Sequence, residues 1–370
     1  MKLGGFYIKA LLAFVFFLAS QHFVSKDVYQ VTGFSDTKSY IAMAECIQTK
    51  SCSSIGVSFP SHHLERWAPH FAAGLLSSAL DVDLDFVYKL IVFMLITIVF
   101  LLINSINQTE SAKVVIFSFI LFFPYGYRSF LYAPPMLADA IFFTAIFMFA
   151  ISLEKNSKLL VYFALLLAGV SRQTAVLVIP ILFFLAVTER ISLKDACKYA
   201  LALISVVAST IILSHEFFSS TSESTINHVL GLWSWLAEPI WIDLIMMLLG
   251  LGFFLILVAP AVLQKKNGYH GIIIFSLLCF ISQPILAGPS VTGFQIIRLA
   301  SYVVPFFALA FISNVLQKKE MIYVLLTMAL FSMHHNYSIT GNKELYFIFI
   351  VVGVAVLIFN KVFHFKSHVQ

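Results

Sequence analysis

Five short stretches of this sequence hold polar side chains that an otherwise apolar chain has little reason to keep. In GFSDTKSY, residues 33–40, Asp36 closely follows a long apolar run. A carboxylate at that height can orient a hydroxyl at a membrane surface and take its proton. The plainer alternative is a helix cap, with Ser35-Asp36 starting a short surface helix. In HHLERWAPHF, residues 62–71, Arg66 stands beside Trp67 and ahead of His70. A guanidinium fork matches phosphate oxygens in pairs, although a Trp and an Arg also suit an ordinary interfacial belt. Asp139 lies in APPMLADAIFF, Arg172 and Gln173 in GVSRQTA, and Arg298 in GFQIIRLASY. Charges at such places turn away from lipid and need partners. For Arg172 the candidates are Asp139 and a lipid phosphate. Arg66, Arg128, Arg172 and Arg298, gathered on one side, would make an anion site. Together these residues point to chemistry on a phosphate-bearing substrate: a carboxylate for a proton, arginines for the phosphate.

The elements that must position them are helices in a bilayer. The chain has 370 residues, is 60% hydrophobic and only 11% charged, and has a mean hydropathy of +0.95. Runs such as LLAFVFFLA and IVFMLITIVFLLI lack the two-residue alternation of a barrel strand, and inside lipid a helix satisfies its own backbone. The fold class expected is therefore all-α, a polytopic bundle of about twelve spans in one transmembrane domain covering 1–370. The spans fall near 5–24, 86–104, 114–130, 136–153, 158–171, 173–188, 199–214, 240–263, 270–287, 298–316, 321–334 and 345–362. Residues 66–80, amphipathic and too short to cross, read as an interfacial or re-entrant helix. The two short spans flanking Arg172 read either as crossing helices or as a half-depth hairpin.

Charge gives the orientation. The connections EKNSK, QKKNGYH and QKKE are basic, whereas the segments on the other side are acidic, which places both termini in the cytoplasm. The net charge of +5 is then a topology signal and does not speak for nucleic acid. Function belongs to the outer side, where loop 25–85 is long and chemically mixed. Trp233 and Trp235 in the outer loop 215–239 either stack on a sugar ring or sit in the headgroup belt. Cys46 and Cys52 are the one pair of the four cysteines placed to bridge, given an oxidising compartment. His62, His63 and His70 have no spaced carboxylate or cysteine partner of the kind a zinc site uses. A divalent metal remains open as a cofactor. No P-loop, GxGxxG, HExxH or CxxC pattern occurs.

In order, FSDTKSYIAMAE, ERWAPHFAAGLL, PPMLADAIFFTAIFMFAISLE and LLLAGVSRQTAVLVIP resemble the GT-C superfamily of polytopic membrane glycosyltransferases. They are similar to its outside-loop aspartate, its Arg-x-x-Pro segment, its span opening with an aspartate and its helix pair around an Arg-Gln/Glu-Thr turn. The likeness covers residues 1–190, including loop 25–85, and leaves 191–370 as variable C-terminal helices. Many members pair acidic residues in the first loop; Asp36 has no acidic neighbour. The resemblance implies inverting transfer of a sugar from a polyprenyl-phosphate donor to a glycan or lipid-linked acceptor on the outer face. Asp36 would be the catalytic residue, with Arg66, His70, Asp139, Arg172, Gln173 and Arg298 binding substrate. The setting implied is the inner membrane of a bacterium, or the endoplasmic reticulum if the cell is not bacterial. The competing expectations are a polymerase or ligase of lipid-linked glycans, and a transporter or flippase. Polymerases and ligases favour a large late outer loop, and transporters favour charges near the bilayer midplane.

Overall fold

The structure is a computed structural model describing residues 5–20, 35–49, 61–123, 126–127, 129–217, 270–287, 299 and 301–307. Every regular element among them is helical. The longer helices are α1 (Gly5–Ser20), α2 (Ser35–Thr49), α3 (Trp67–Leu80), α4 (Leu84–Asn104), α5 (Glu110–Phe122), α6 (Leu137–Lys155), α7 (Lys158–Ser171), α8 (Val178–Val187), α9 (Leu193–Phe217) and α10 (His270–Ala287).

Short polar signals punctuate the apolar sequence. Asp83 caps α4 by accepting from the N–H groups of Asp85 and Phe86. Thr109 accepts from Ala112 at the start of α5, and Ser157 from Leu160 at the start of α7. Each side chain supplies an acceptor to a helix end that has none of its own. Asn156 closes α6 in the left-handed conformation, φ 49°, which asparagine tolerates better than most residues. The reversal from α6 into α7 is consequently tight.

Among the described residues, three helices are long and apolar enough to cross a membrane: Leu84–Asn104, Leu137–Lys155 and Leu193–Glu216. They differ in surroundings. The apolar stretch of α6 is 83% buried, against 39% for α4 and 33% for α9, so α6 is the central helix. On α4 and α9, Phe86, Met94, Leu101, Leu201 and Ile212 are exposed, as suits a lipid-facing side. Helices α4 and α7 pack on α6; α9 packs on α7 and α8; α10 on α8; and α1 on α5.

Most expected spans in the described residues match a helix within a few residues. The expected span 114–130 is shorter: α5 ends at Phe122, and Phe123 is extended at φ −60°, ψ 129°. Residue 124 is proline, and a residue before proline is driven out of helical conformation. The pair flanking Arg172 is unequal, with 14 residues in α7 and 10 in α8. From the turn at Asn156, α7 climbs back to the level of Asp139 on α6, which its last residues meet. That climb is about 21 Å at 1.5 Å per residue, against about 24 Å for α6 from Asp139 to Lys155. Expected spans 240–263, 321–334 and 345–362, and all of 298–316 but 299 and 301–307, lie outside the described residues.

Helix α3 packs flat against α2. A Cβ added at Gly74 would stand 2.3 Å from the Ala44 carbonyl oxygen, a backbone atom. Gly74→Val is therefore expected to push the two helices apart at a cost of about 1–3 kcal/mol, checked as a lowered unfolding midpoint in detergent. Cys46, on α2, is disulfide-bonded. Its expected partner Cys52 lies outside the described residues, and Cys197 and Cys279 are free thiols.

Candidate functional site

Arg172 is the residue between α7 and a 3-10 turn, Gln173–Leu177. Its backbone is extended, φ −154° and ψ 140°, while its N–H still donates to Ala168. The guanidinium donates to the Asp139 carboxylate, in the first turn of α6, and both side chains are 1% exposed. Tyr302, in the 3-10 turn Ser301–Val303, closes the group. Its hydroxyl accepts from Arg172 Nη1 at 2.7 Å and donates to Asp139. The Tyr302 ring lies 5.7 Å from the guanidinium and is pinned edge-on by Phe142 at 4.6 Å. A buried pair like this repays its desolvation only when further hydrogen bonds support it; Tyr302 supplies one to each charge, while Arg172 Nε has no partner among the described residues. Of the two partners foreseen for Arg172, Asp139 is the one it takes here.

A second cluster adjoins the first through the next residue in the chain. Gln173 Oε1 accepts from Arg66 Nε at 3.5 Å, and Arg66 Nη1 donates to the Tyr40 hydroxyl at 2.6 Å. Tyr40, on α2, stacks on His70, on α3, with ring centroids 4.3 Å apart and planes 8° from parallel. His70 Nδ1 meets the Tyr88 hydroxyl of α4 at 2.9 Å. Burial, reinforced by the Arg66 charge and opposed by that of Asp139, pushes the His70 imidazole down to about 3; it is neutral near pH 7. Trp67 anchors α3 by donating its indole N–H to the Thr210 carbonyl of α9 at 3.0 Å. Thr174 donates to Gln283 of α10 at 3.3 Å.

No protein-family model, curated protein or solved structure matches this chain. What the site can do must therefore be read from its own chemistry.

Five of the residues singled out from sequence, Arg66, His70, Asp139, Arg172 and Gln173, meet at one end of the bundle. Asp36 lies in the first turn of α2. It precedes Tyr40 by four residues on that helix. Arg298 and Arg128 lie outside the described residues. Among the described residues no three of His, Cys, Asp and Glu gather as a metal site. Three tyrosines escaped the sequence reading: Tyr40, Tyr88 and Tyr302. Tyr40 closes GFSDTKSY and Tyr302 closes GFQIIRLASY, each one helical turn after the charged residue that drew attention. That spacing was the available signal. The opposite end of the bundle holds a cavity of about 390 Å³, lined by Lys158, Arg190 and Asp195 among others. None of the foreseen site residues is there.

Proposed function

We propose that this chain is a polytopic membrane glycosyltransferase of the GT-C kind, with about twelve spans. It transfers a sugar from a polyprenyl-phosphate donor to a glycan or lipid-linked acceptor on the outer face. The observation that carries this reading is the convergence of Arg66, His70, Asp139, Arg172 and Gln173 at one end of the bundle, with α2 packed on Arg66 and His70 through Tyr40. In this proposal Asp36 orients the acceptor hydroxyl and takes its proton as the new glycosidic bond forms. The donor's anomeric carbon–oxygen bond breaks at the same time, and the electron pair leaves with the lipid phosphate. Arg66, and Arg298 with it, stabilise that leaving phosphate. The Asp139–Arg172–Tyr302 group holds the ends of α6 and α7 in place. The two termini lie in the cytoplasm, and the donor is met on the outer side of the inner membrane.

The test is transfer of radiolabelled sugar from polyprenyl-phosphate donors into lipid-linked or polymeric glycan, by membranes with wild-type protein, with Arg66→Lys or without the protein. Wild-type membranes are expected to incorporate label well above those without the protein. Arg66→Lys is expected to lower kcat/KM for the donor about tenfold, the worth of roughly one charge-assisted hydrogen bond of ~1.5 kcal/mol. Equal incorporation in all three membranes would overturn the reading and move the polymerase and transporter readings ahead.

A further inference from the structure

We infer that His70 reads a hydroxyl of the donor's sugar, accepting its hydrogen through Nε2; this rests on the glycosyltransferase reading above. The tautomer comes first. Tyr88 has one proton to give and stands near two groups, His70 Nδ1 at 2.9 Å and the Tyr40 carbonyl oxygen at 3.4 Å. A carbonyl oxygen only accepts. Both contacts are satisfied together when Tyr88 donates to the carbonyl and receives from a protonated Nδ1. The imidazole proton is then on Nδ1, and Nε2 presents a bare lone pair.

That lone pair is buried. His70 is 0% exposed, and Nε2 has no hydrogen-bond partner among the described residues. An acceptor left so costs free energy, and it marks a place where another molecule completes the site. Nε2 carries no proton near neutral pH, because burial and Arg66 hold the ring neutral and its one proton is on Nδ1. The completing group must therefore be a donor. An ionised phosphate has only acceptors to offer, so the phosphate end of the ligand does not fit here, whereas a sugar hydroxyl does. A matching donor lies in the adjoining cluster: Arg172 Nε is also buried without a partner among the described residues. A polyhydroxyl ring both gives and receives hydrogen bonds, and it answers both needs. In a site withdrawn from water such bonds discriminate strongly between a ligand that has the hydroxyl and one that lacks it.

The experiment is nitrogen-15 NMR of imidazole-labelled full-length protein in lipid nanodiscs, with the His70 signals assigned by their loss in His70→Phe. Without ligand, His70 is expected to show a protonated Nδ1 and a bare Nε2, and Tyr88→Phe is expected to abolish that preference. Polyprenyl phosphates carrying glucose, galactose or mannose are then added, beside bare polyprenyl phosphate, and binding is followed separately with radiolabelled lipid. At least one glycosylated lipid is expected to shift Nε2 while the bare lipid does not. The preference for that lipid over the bare one should fall about tenfold in His70→Phe. A proton on Nε2 overturns the inference. So does a glycosylated lipid that binds and leaves Nε2 unmoved, or a bare lipid that moves it equally; His70 then holds a structural water only. Binding of none of the lipids overturns the glycosyltransferase reading and this inference with it.

Discussion

Arg172→Ala is expected to destabilise the protein by about 3–5 kcal/mol, the range for stripping one partner from a buried ion pair. The substitution leaves the Asp139 carboxylate in a site 0% exposed, with the Tyr302 hydroxyl as the remaining donor of the three-residue group. The double replacement Asp139→Leu with Arg172→Met is expected to recover most of the stability, because a pair that has paid its desolvation adds little over packed apolar side chains. Unfolding of the wild type, both single variants and the double variant in nanodiscs gives the coupling energy directly. A loss below ~1 kcal/mol for Arg172→Ala would match a solvent-exposed pair, and the closed group described here would then be wrong.

The two charges of that group were legible in the sequence because a bilayer forces every charge to be explained. Asp139 and Arg172 stand at the edges of apolar runs, and the rule that such residues turn inward was enough to single them out. Which partner Arg172 takes was beyond the sequence, since it depends on register. The register is set by the turn at Asn156 and by the nearly equal climbs of α6 and α7 on either side of it. Tyr302 was hidden for a different reason. In a chain with 14 tyrosines and 39 phenylalanines, one more aromatic in an apolar helix reads as core, and its hydroxyl matters only once residues more than 100 positions away are brought beside it. Tyr40 and Tyr88 also read as core aromatics, although their partners Arg66 and His70 stand only 26 and 18 positions away. The end of α5 was legible and overlooked: the Phe123-Pro124 step stops the helix whatever the hydropathy of the residues that follow. The helical class and the bounds of most described helices needed only composition, spacing and capping residues.

Asp36→Asn is expected to lower kcat for sugar transfer by about 10²–10⁴-fold, the range for a positioned general base, with little change in donor KM. Asparagine keeps the size and a hydrogen-bonding oxygen but cannot take a proton, so the substitution separates proton transfer from positioning. The placement of α2 makes this test informative. Tyr40, one turn further along, is buried and accepts the hydrogen bond from Arg66, so this face of α2 is seated on the site. The backbone of Asp36 lies about 6 Å back from Tyr40 toward the start of the helix, at 1.5 Å per residue. Helix formation and catalysis are therefore separable here. A carboxylate in a first helical turn adds ~0.3–1 kcal/mol by meeting the helix dipole, and its loss would appear in stability, not in turnover. If Asp36→Asn lowers the unfolding midpoint slightly and transfers sugar at the wild-type rate, Asp36 belongs to the helix alone. If turnover falls while unfolding and lipid binding hold, the proton leaves through Asp36, and α2 serves to carry that carboxylate to the arginines and the buried histidine.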